Sequence, residues 1–429
     1  MRVAILKSIN SIPFVLPATS RISRIFLSTL FIWSILTPEV CAQGTEELGL
    51  KPHAIHLQGR NLFYLSMPAA LTITPAAEGL KRVRFMAKAP DGRIFVTTLH
   101  DLSDNSQGAV YILDGLDEQS GRFASVTPYL NNLHNPNSIA FYRDSTGQYW
   151  FYLALTDRLL RYKFTLGEKS PASQPEVLAS YPAYGLSYKY GGWHLTRTIT
   201  FGQGASKDLL YVTVGSSCNA CDEEEQIRAT LSVMDADGKH QRIVARGLRN
   251  AVGMRFVSGT LYLTNMGADH LGDDQPDDPM FAISEQVMSA GKTLDYGWPH
   301  CYYSSGKATA DPKFTPGPGR LNCDQASAAF AYFGAHSSPL GLEYFGGPSD
   351  SVLLKDHFLV ALHGASNKQL DRGYRVGRVD RQGHVENFIT GFIKDGVVRG
   401  RPCDILKLNE SSFLLTDDYA NVVYYIQAK

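Results

Sequence analysis

Residues 145–164, STGQYWFYLALTDRLLRYKF, open on the turn formers Ser145, Thr146 and Gly147 and continue as two short apolar runs. Aromatic and β-branched or aliphatic residues in runs of five to seven, bounded by turn residues, are the signature of paired strands. The centre of the first run, Tyr152-Leu153-Ala154, has relatives at Phe95-Val96-Thr97, Tyr211-Val212-Thr213, Tyr262-Leu263-Thr264, Leu359-Val360-Ala361 and Leu414-Leu415-Thr416. Successive copies are 57, 59, 51, 97 and 55 residues apart. Turn residues precede several of them, as in Pro90-Asp91-Gly92 and Ser258-Gly259, and a second run often follows, as in GYRVGRVD and VVYYIQ. Helical periodicity is scarce after residue 60. Repeats of this length with several strands each are the size of propeller blades, so the pattern predicts an all-β, six-bladed β-propeller around a central channel. The gap of 97 is read as one blade spacing plus an insertion of roughly 40 residues between Asp273 and Phe330, in the fourth-to-fifth blade segment. A jelly roll or two stacked sandwiches is the competing architecture.

The 429 residues carry 41 basic and 41 acidic side chains, a balance that excludes the basic face a nucleic-acid partner requires. With 44% apolar and only 19% charged residues, the chain has ample material for a core. Residues 1–42 differ from the rest. Arg2, Lys7, Arg21 and Arg24 precede the apolar run Ile25–Leu36, which is too short for the roughly 20 residues of a membrane span. Followed by Val40-Cys41-Ala42, it reads as a signal peptide cleaved before Gln43, with an uncleaved amino-terminal anchor as the alternative. No later segment has the length for stable membrane insertion. The expectation is therefore a periplasmic or secreted protein, with an extension over 43–74 and a propeller catalytic domain over 75–429. In an oxidising compartment the remaining cysteines should pair. Cys301 and Cys323 bracket a loop rich in glycine and proline and are expected to form a disulfide. Cys218 and Cys221 form a C-x-x-C, favoured as a second disulfide over a zinc half-site, which leaves Cys403 as a buried thiol.

The chain from Tyr181 to Trp298 contains, in order, YGGWHLTRTITF, LLYVTVGSSCN, GLRNAVGMRF, LYLTNMGADHLGDD and YGWPHCY. AHSSPLGLEYF, FLVALHGASNKQLDRGYRVGRV and RGRPCDILKL follow. From about residue 75 onward this series resembles the glucose/sorbosone dehydrogenase family, exported six-bladed propellers that oxidise sugars with pyrroloquinoline quinone (PQQ) and calcium. It is most similar to the sorbosone-type branch.

PQQ carries three carboxylates, which fixed guanidinium groups bind well. The resemblance implies that Arg249 and Asn250 of GLRN bind the cofactor, together with Arg399 and Arg401 of an R-x-R. A spacing of two would put both of the latter on one face of a strand. His363 of LVALHG stands where the soluble glucose dehydrogenases have a cofactor-contacting lysine, and nothing in LHNPNSIAF matches their PQQ-contacting glutamine. His194 stands at the position of the family's catalytic base; a neutral imidazole can accept the hydroxyl proton while hydride leaves carbon. The loop ahead of it, YPAYGLSYKYGGW, is dense in aromatics suited to stacking on a sugar or to capping the rim. In NMGADHLGDD the resemblance assigns the calcium-binding carbonyls to Gly267 and Ala268. Asp269, Asp273 and Asp274 add local negative charge there, while Asp277 and Asp278 are read as a solvated acidic loop.

The leading reading is an oxidoreductase acting on an aldose or aldehyde-bearing sugar, which passes electrons to an external quinone or cytochrome. A non-catalytic propeller that binds carbohydrate or protein is one alternative. A calcium-dependent propeller lactonase is the other; it would need carboxylates converging on a metal and no arginine clamp. The fold accommodates all three.

Overall fold

In the computed structural model each copy of the recurring pattern lies in the second strand of its own sheet: Ile94–Thr98, Tyr149–Ala154, Leu209–Val214, Thr260–Asn265, His357–Leu362 and Ser412–Asp417. The structure describes residues 48–183, 194–315 and 321–429, so the signal-peptide reading of residues 1–42 lies outside the described residues. The six sheets are the blades of a six-bladed β-propeller. Their first strands are Val83–Lys88, Ser138–Arg143, Arg197–Phe201, Ala251–Val257, Pro339–Phe345 and Pro402–Lys407. Each touches the first strand of the next blade, and the sixth returns to the first, so together they enclose the channel.

A second strand has a neighbour on both edges and an adjoining blade on both faces. That is why it reads as a continuous apolar run rather than an alternating one. The third residue of the pattern has a separate job. Several first strands bulge near their start, at Val83/Met86, Ala251/Met254, Pro339/Leu342 and Pro402/Ile405. A bulge leaves a backbone N–H without a ladder partner. Thr97 Oγ1 accepts Phe85 N–H (3.2 Å) and donates to Asn137 O (2.7 Å) on the second blade. Thr264 does the same between Gly253 N–H (2.9 Å) and Leu340 O (2.7 Å). Thr416 bridges Asp404 N–H (2.9 Å) and Arg84 O (2.8 Å). One hydroxyl thus satisfies a bulge and stitches neighbouring blades together in three places.

The insertion lies inside the fourth blade, between its third strand Asp278–Ser284 and its fourth, Ala331–Phe333. It contains the short helix Glu285–Ser289 and the hairpin Cys301–Ser304/Lys307–Ala310. The Cys301–Cys323 disulfide closes it with Cα atoms 5.8 Å apart, a cross-link worth about 3 kcal/mol for a loop of this size. Cys218 pairs with Cys221, and Cys403 is free and buried. Among the described residues no helix is long and apolar enough to cross a membrane.

The ring is closed by the amino-terminal side. Strand Leu71–Glu78 pairs antiparallel with Val422–Ala428 as the outermost strand of the sixth blade. The propeller's strands therefore begin at Leu71, ahead of residue 75, because the last blade borrows its edge from the front of the chain. Upstream, the hairpin Leu50–Ile55/Phe63–Pro68 buries Ile55, Phe63, Leu65 and Met67 in the cluster shared by the fifth and sixth blades. Ser66 and Thr390 exchange backbone hydrogen bonds of 2.9 Å there.

Two carboxyls in the sixth blade, Asp404 and Asp417, are fully enclosed, and burial pushes each from 3.8 up to about 7. The folded state thus keeps protons that the unfolded chain releases near 3.8, so these groups stabilise it at low pH and lose that contribution as pH rises to about 7. Melting temperatures recorded between pH 4.5 and 8 should fall less steeply in Asp404→Asn than in the parent. An unchanged slope would remove Asp404 from the pH dependence.

Candidate active site

At the end of the channel where the first strands begin, a cavity of about 240 Å3 is lined by residues from all six blades. It brings together His194, Arg249, Asn250, Gly267, His363 and Arg401, which are scattered over more than 200 residues of sequence. Arg399 is not among its lining residues. Residues 399–401 lie between the strands Val397–Val398 and Pro402–Lys407 rather than in one, so a spacing of two does not put both side chains on one face. The N–H groups of Arg399 and Gly400 both bond Phe392 O (2.7 and 3.0 Å), and Arg60 holds Arg399 O at 3.1 Å. The chain turns there, and only Arg401 reaches the cavity.

His194 sits just before the first strand of the third blade with a left-handed backbone, φ 56°, a conformation costing roughly 1–3 kcal/mol in a non-glycine residue. Its Nδ1 lies 3.1 Å from Ser216 O and 2.9 Å from Ser216 Oγ. A carbonyl only accepts, and the Ser216 hydroxyl already donates to Cys218 O at 2.7 Å. Nδ1 must therefore carry the proton, which leaves Nε2 as a lone-pair acceptor. Burial, reinforced by Arg249, holds the His194 pKa well below 6.5, so the ring is neutral at physiological pH. Gly215 makes the approach possible: a Cβ there would meet Asn250 Oδ1 at 2.6 Å and His194 Cβ at 2.8 Å. The aromatic loop ahead of His194 falls mostly in residues 184–193, outside the described residues.

Arg249 and Arg401 line the same cavity as His194. Arg249, buried, donates from Nε to Asn219 O (2.8 Å), from Nη1 to Gly267 O (2.6 Å), and from Nη2 to Asn219 Oδ1 (2.8 Å) and Asp269 (3.0 Å). Arg401 donates from Nε to His363 O (3.0 Å) and from Nη2 to Gly364 O and Ala365 O. Among the described residues it makes no ion pair, and its Nη1 makes no hydrogen bond. A half-buried guanidinium with an unspent edge, near Asp418 but not ion-paired with it, is a site for an anion. Arg84 adds a third guanidinium, paired with Asp418 at 3.2 Å. Among the described residues the buried Oδ1 of Asn250 has no partner, so it is an acceptor suited to a ligand N–H or O–H.

His363 is not part of that positive charge. Burial, with help from Arg401, pushes it down to about 4, and its Nε2 bonds Asp418 at 2.9 Å. Burial alone would raise the Asp418 carboxyl, but His363, Arg84 and Arg82 hold it below the usual range.

The acidic segment is built differently from a solvated loop. Asp278 is 3% exposed and lines the cavity, where its carboxylate accepts Gly267 N–H (2.6 Å) and Ser338 N–H (2.7 Å). Burial pushes it up to about 7. Asp277 is half-buried and accepts Ser305 N–H at 2.5 Å. Both depart from the solvated reading because Asp278 starts a strand that must cap the Gly267 turn. Asp273 and Asp274 are exposed, and Asp274 pairs with Arg372. Gly267 is on the cavity wall, whereas Ala268 faces a smaller void behind it, near Asp277 and Asp311. Among the described residues, the group of three potential metal-ligating side chains that converges is Cys218, Cys221 and Glu223, and its two thiols are spent in the disulfide.

Nothing in the sequence marks Arg84, Asn135, His336 or Ser216, yet the first three line the cavity and Ser216 orients His194. A blade-by-blade alignment of first strands carries a signal for Arg84. It holds the second position, as do the cavity residues Val252 and Leu340.

A family model described as TrAA12-like matches residues 77–390. The chain belongs to the TrAA12-like family. Solved structures share the fold at low identity. The calcium structure of a Trichoderma reesei carbohydrate-active enzyme of family AA12 superposes with a TM-score of 0.68 at 15% identity, covering 90% of this chain and all of that one. The holo PQQ domain of pyranose dehydrogenase from Coprinopsis cinerea gives 0.65 at 17%, over 85% and 97% of the two chains. A glucose dehydrogenase gives 0.56 at 11%, over 83% and 99%. An uncharacterized protein of Borreliella burgdorferi is 30% identical over 232 residues; the match spans 52% of this chain and 58% of that protein.

Proposed function

We propose that this protein is an exported oxidoreductase that uses PQQ and calcium to oxidise an aldose or aldehyde-bearing sugar. The observation that carries the reading is one cavity lined both by a neutral histidine whose Nε2 carries the lone pair and by an arginine that makes no ion pair among the described residues. Arg401, Arg249 and Arg84 suit the cofactor carboxylates, and Asn250 Oδ1 suits a donor on its ring system. Gly267 and the acids Asp269 and Asp278 line this cavity and carry the hard oxygens that calcium prefers, two of them now accepting from Arg249. When bound, PQQ would supply the hydride acceptor and calcium a Lewis acid.

The protein's own part is to place and deprotonate the substrate. His194 Nε2 accepts the proton of the hemiacetal hydroxyl, or of the hydrated aldehyde, as hydride departs from the same carbon. The charge that appears on the imidazole is stabilised by Ser216 O and Oγ at Nδ1. The likeness of the motifs to sorbosone-type enzymes supports a sugar with a free or masked aldehyde, with electrons leaving to an external quinone or cytochrome. Adding PQQ and calcium to the purified protein should produce a bound-quinone absorption band that sugar bleaches, and dye-linked oxidation of an aldose panel. No band at micromolar PQQ with calcium present would sink this reading.

A further inference from the structure

Loop 216–223 touches both halves of the site at once. Ser216 holds His194, and its backbone N–H bonds Arg249 O at 2.7 Å. Three residues on, Asn219 receives Arg249 twice, at its backbone O and at Oδ1, and Oδ1 also takes Asp269 N–H at 2.8 Å. Trp298 Nε1 reaches the same Asn219 O at 3.2 Å. Between Ser216 and Asn219 stands Cys218, whose carbonyl takes the Ser216 hydroxyl proton and whose sulfur is tied to Cys221. Glu223 closes the loop by accepting Ser217 N–H (2.7 Å) and its hydroxyl (2.6 Å).

We propose that the Cys218–Cys221 loop is a positioning element that selects the His194 tautomer through Ser216 and aims the Arg249 guanidinium through Asn219. The inference rests on the roles given above to His194 and Arg249. Its logic is one of committed protons. A serine hydroxyl can donate or accept, and here it only accepts from Nδ1 because its proton goes to Cys218 O. If the disulfide no longer holds that carbonyl in place, the hydroxyl is free to rotate and donate to Nδ1. Ser216 O alone then favours the proton at Nδ1, and a share of the rings carries it on Nε2, where the lone pair is lost. Asn219, on the same loop, would release two of the four hydrogen bonds that orient Arg249.

The test compares the parent with Cys218→Ser/Cys221→Ser, leaving Cys301–Cys323 intact, and reads two quantities. The first is the His194 tautomer, from side-chain 15N shifts of histidine-labelled protein, assigned with His194→Gln. The second is the PQQ dissociation constant, from quenching of tryptophan fluorescence. The parent should show a single Nδ1–H tautomer. The double variant should show mixed tautomers and bind PQQ about tenfold more weakly, as expected on loosening hydrogen bonds to a charged group. Ser216→Ala, which leaves the carbonyl of residue 216 as the one acceptor at Nδ1, should broaden the tautomer populations without changing PQQ affinity. Asn219→Ala should weaken PQQ alone, and Asn219→Asp, which keeps both oxygens, should recover most of the loss. Should the double variant fail to fold, the single variants decide. Folded variants that keep the parent's tautomer and affinity would overturn the proposal. A parent that binds no PQQ would defeat the functional reading, with the tautomer measurement still deciding the role of Ser216.

Discussion

Replacing His194 with alanine should lower kcat by roughly 10²–10⁴, the usual contribution of a positioned general base, while PQQ binding stays near the parent value. The separation is expected because the cavity's charge complementarity comes from arginines, and His194 contributes a neutral ring. The pH profile supplies an independent check. His194 is depressed well below 6.5, so it stays an unprotonated base as pH falls past that value. The His194 limb of kcat/KM should therefore lie below pH 6.5 in the parent and vanish with the side chain, distinct from any limb near 7 that Asp278 contributes. A variant that turns over sugar at the parent rate would exclude His194 as the base. Parallel loss of PQQ binding would instead make it a cofactor ligand.

Arg401→Ala should raise the PQQ dissociation constant by about 30- to 4,000-fold, the range for removing one partner of a desolvated charge pair. Arg401→Lys should recover only part of this, because an ammonium lacks the planar fork that bonds His363 O and Gly364 O on one side and leaves Nη1 free on the other. Arg399→Ala is the matched control. With Arg399 off the cavity wall, its loss should change binding by no more than about threefold. Equilibrium titration of the three variants checks the set. An Arg399 effect as large as that of Arg401 would show that the clamp uses both arginines.

These two arginines also mark the boundary of what the sequence reveals. The propeller is legible because second strands are enclosed on every side, and their residues carry that enclosure as an unbroken apolar run with a fixed spacing. His194, Arg249 and Asn250 are legible because long motifs surround them. Direction is harder to read. Whether Arg399 or Arg401 faces the cavity depends on a turn held by Phe392 O, and no local pattern encodes that turn. Asp278, in a stretch of five aspartates, reads as solvated. Its burial comes from Ser338, 60 residues away, and from the Gly267 turn. Ser216 is one serine among many until the hydroxyl's own donor bond to Cys218 O is known.

The pairing of Leu71–Glu78 with Val422–Ala428 also sets the order in which the molecule can be made. The ribosome delivers the front strand first and its partner last, with every blade synthesised in between. The ring cannot lock before Val422–Ala428 has been translated, and closing so long a loop is among the slower steps in folding. Local blades can form early, but the channel end that gathers residues from all six stays open until the final strand arrives. Were the chain exported as proposed, late closure would favour assembly of the site after transport rather than before it.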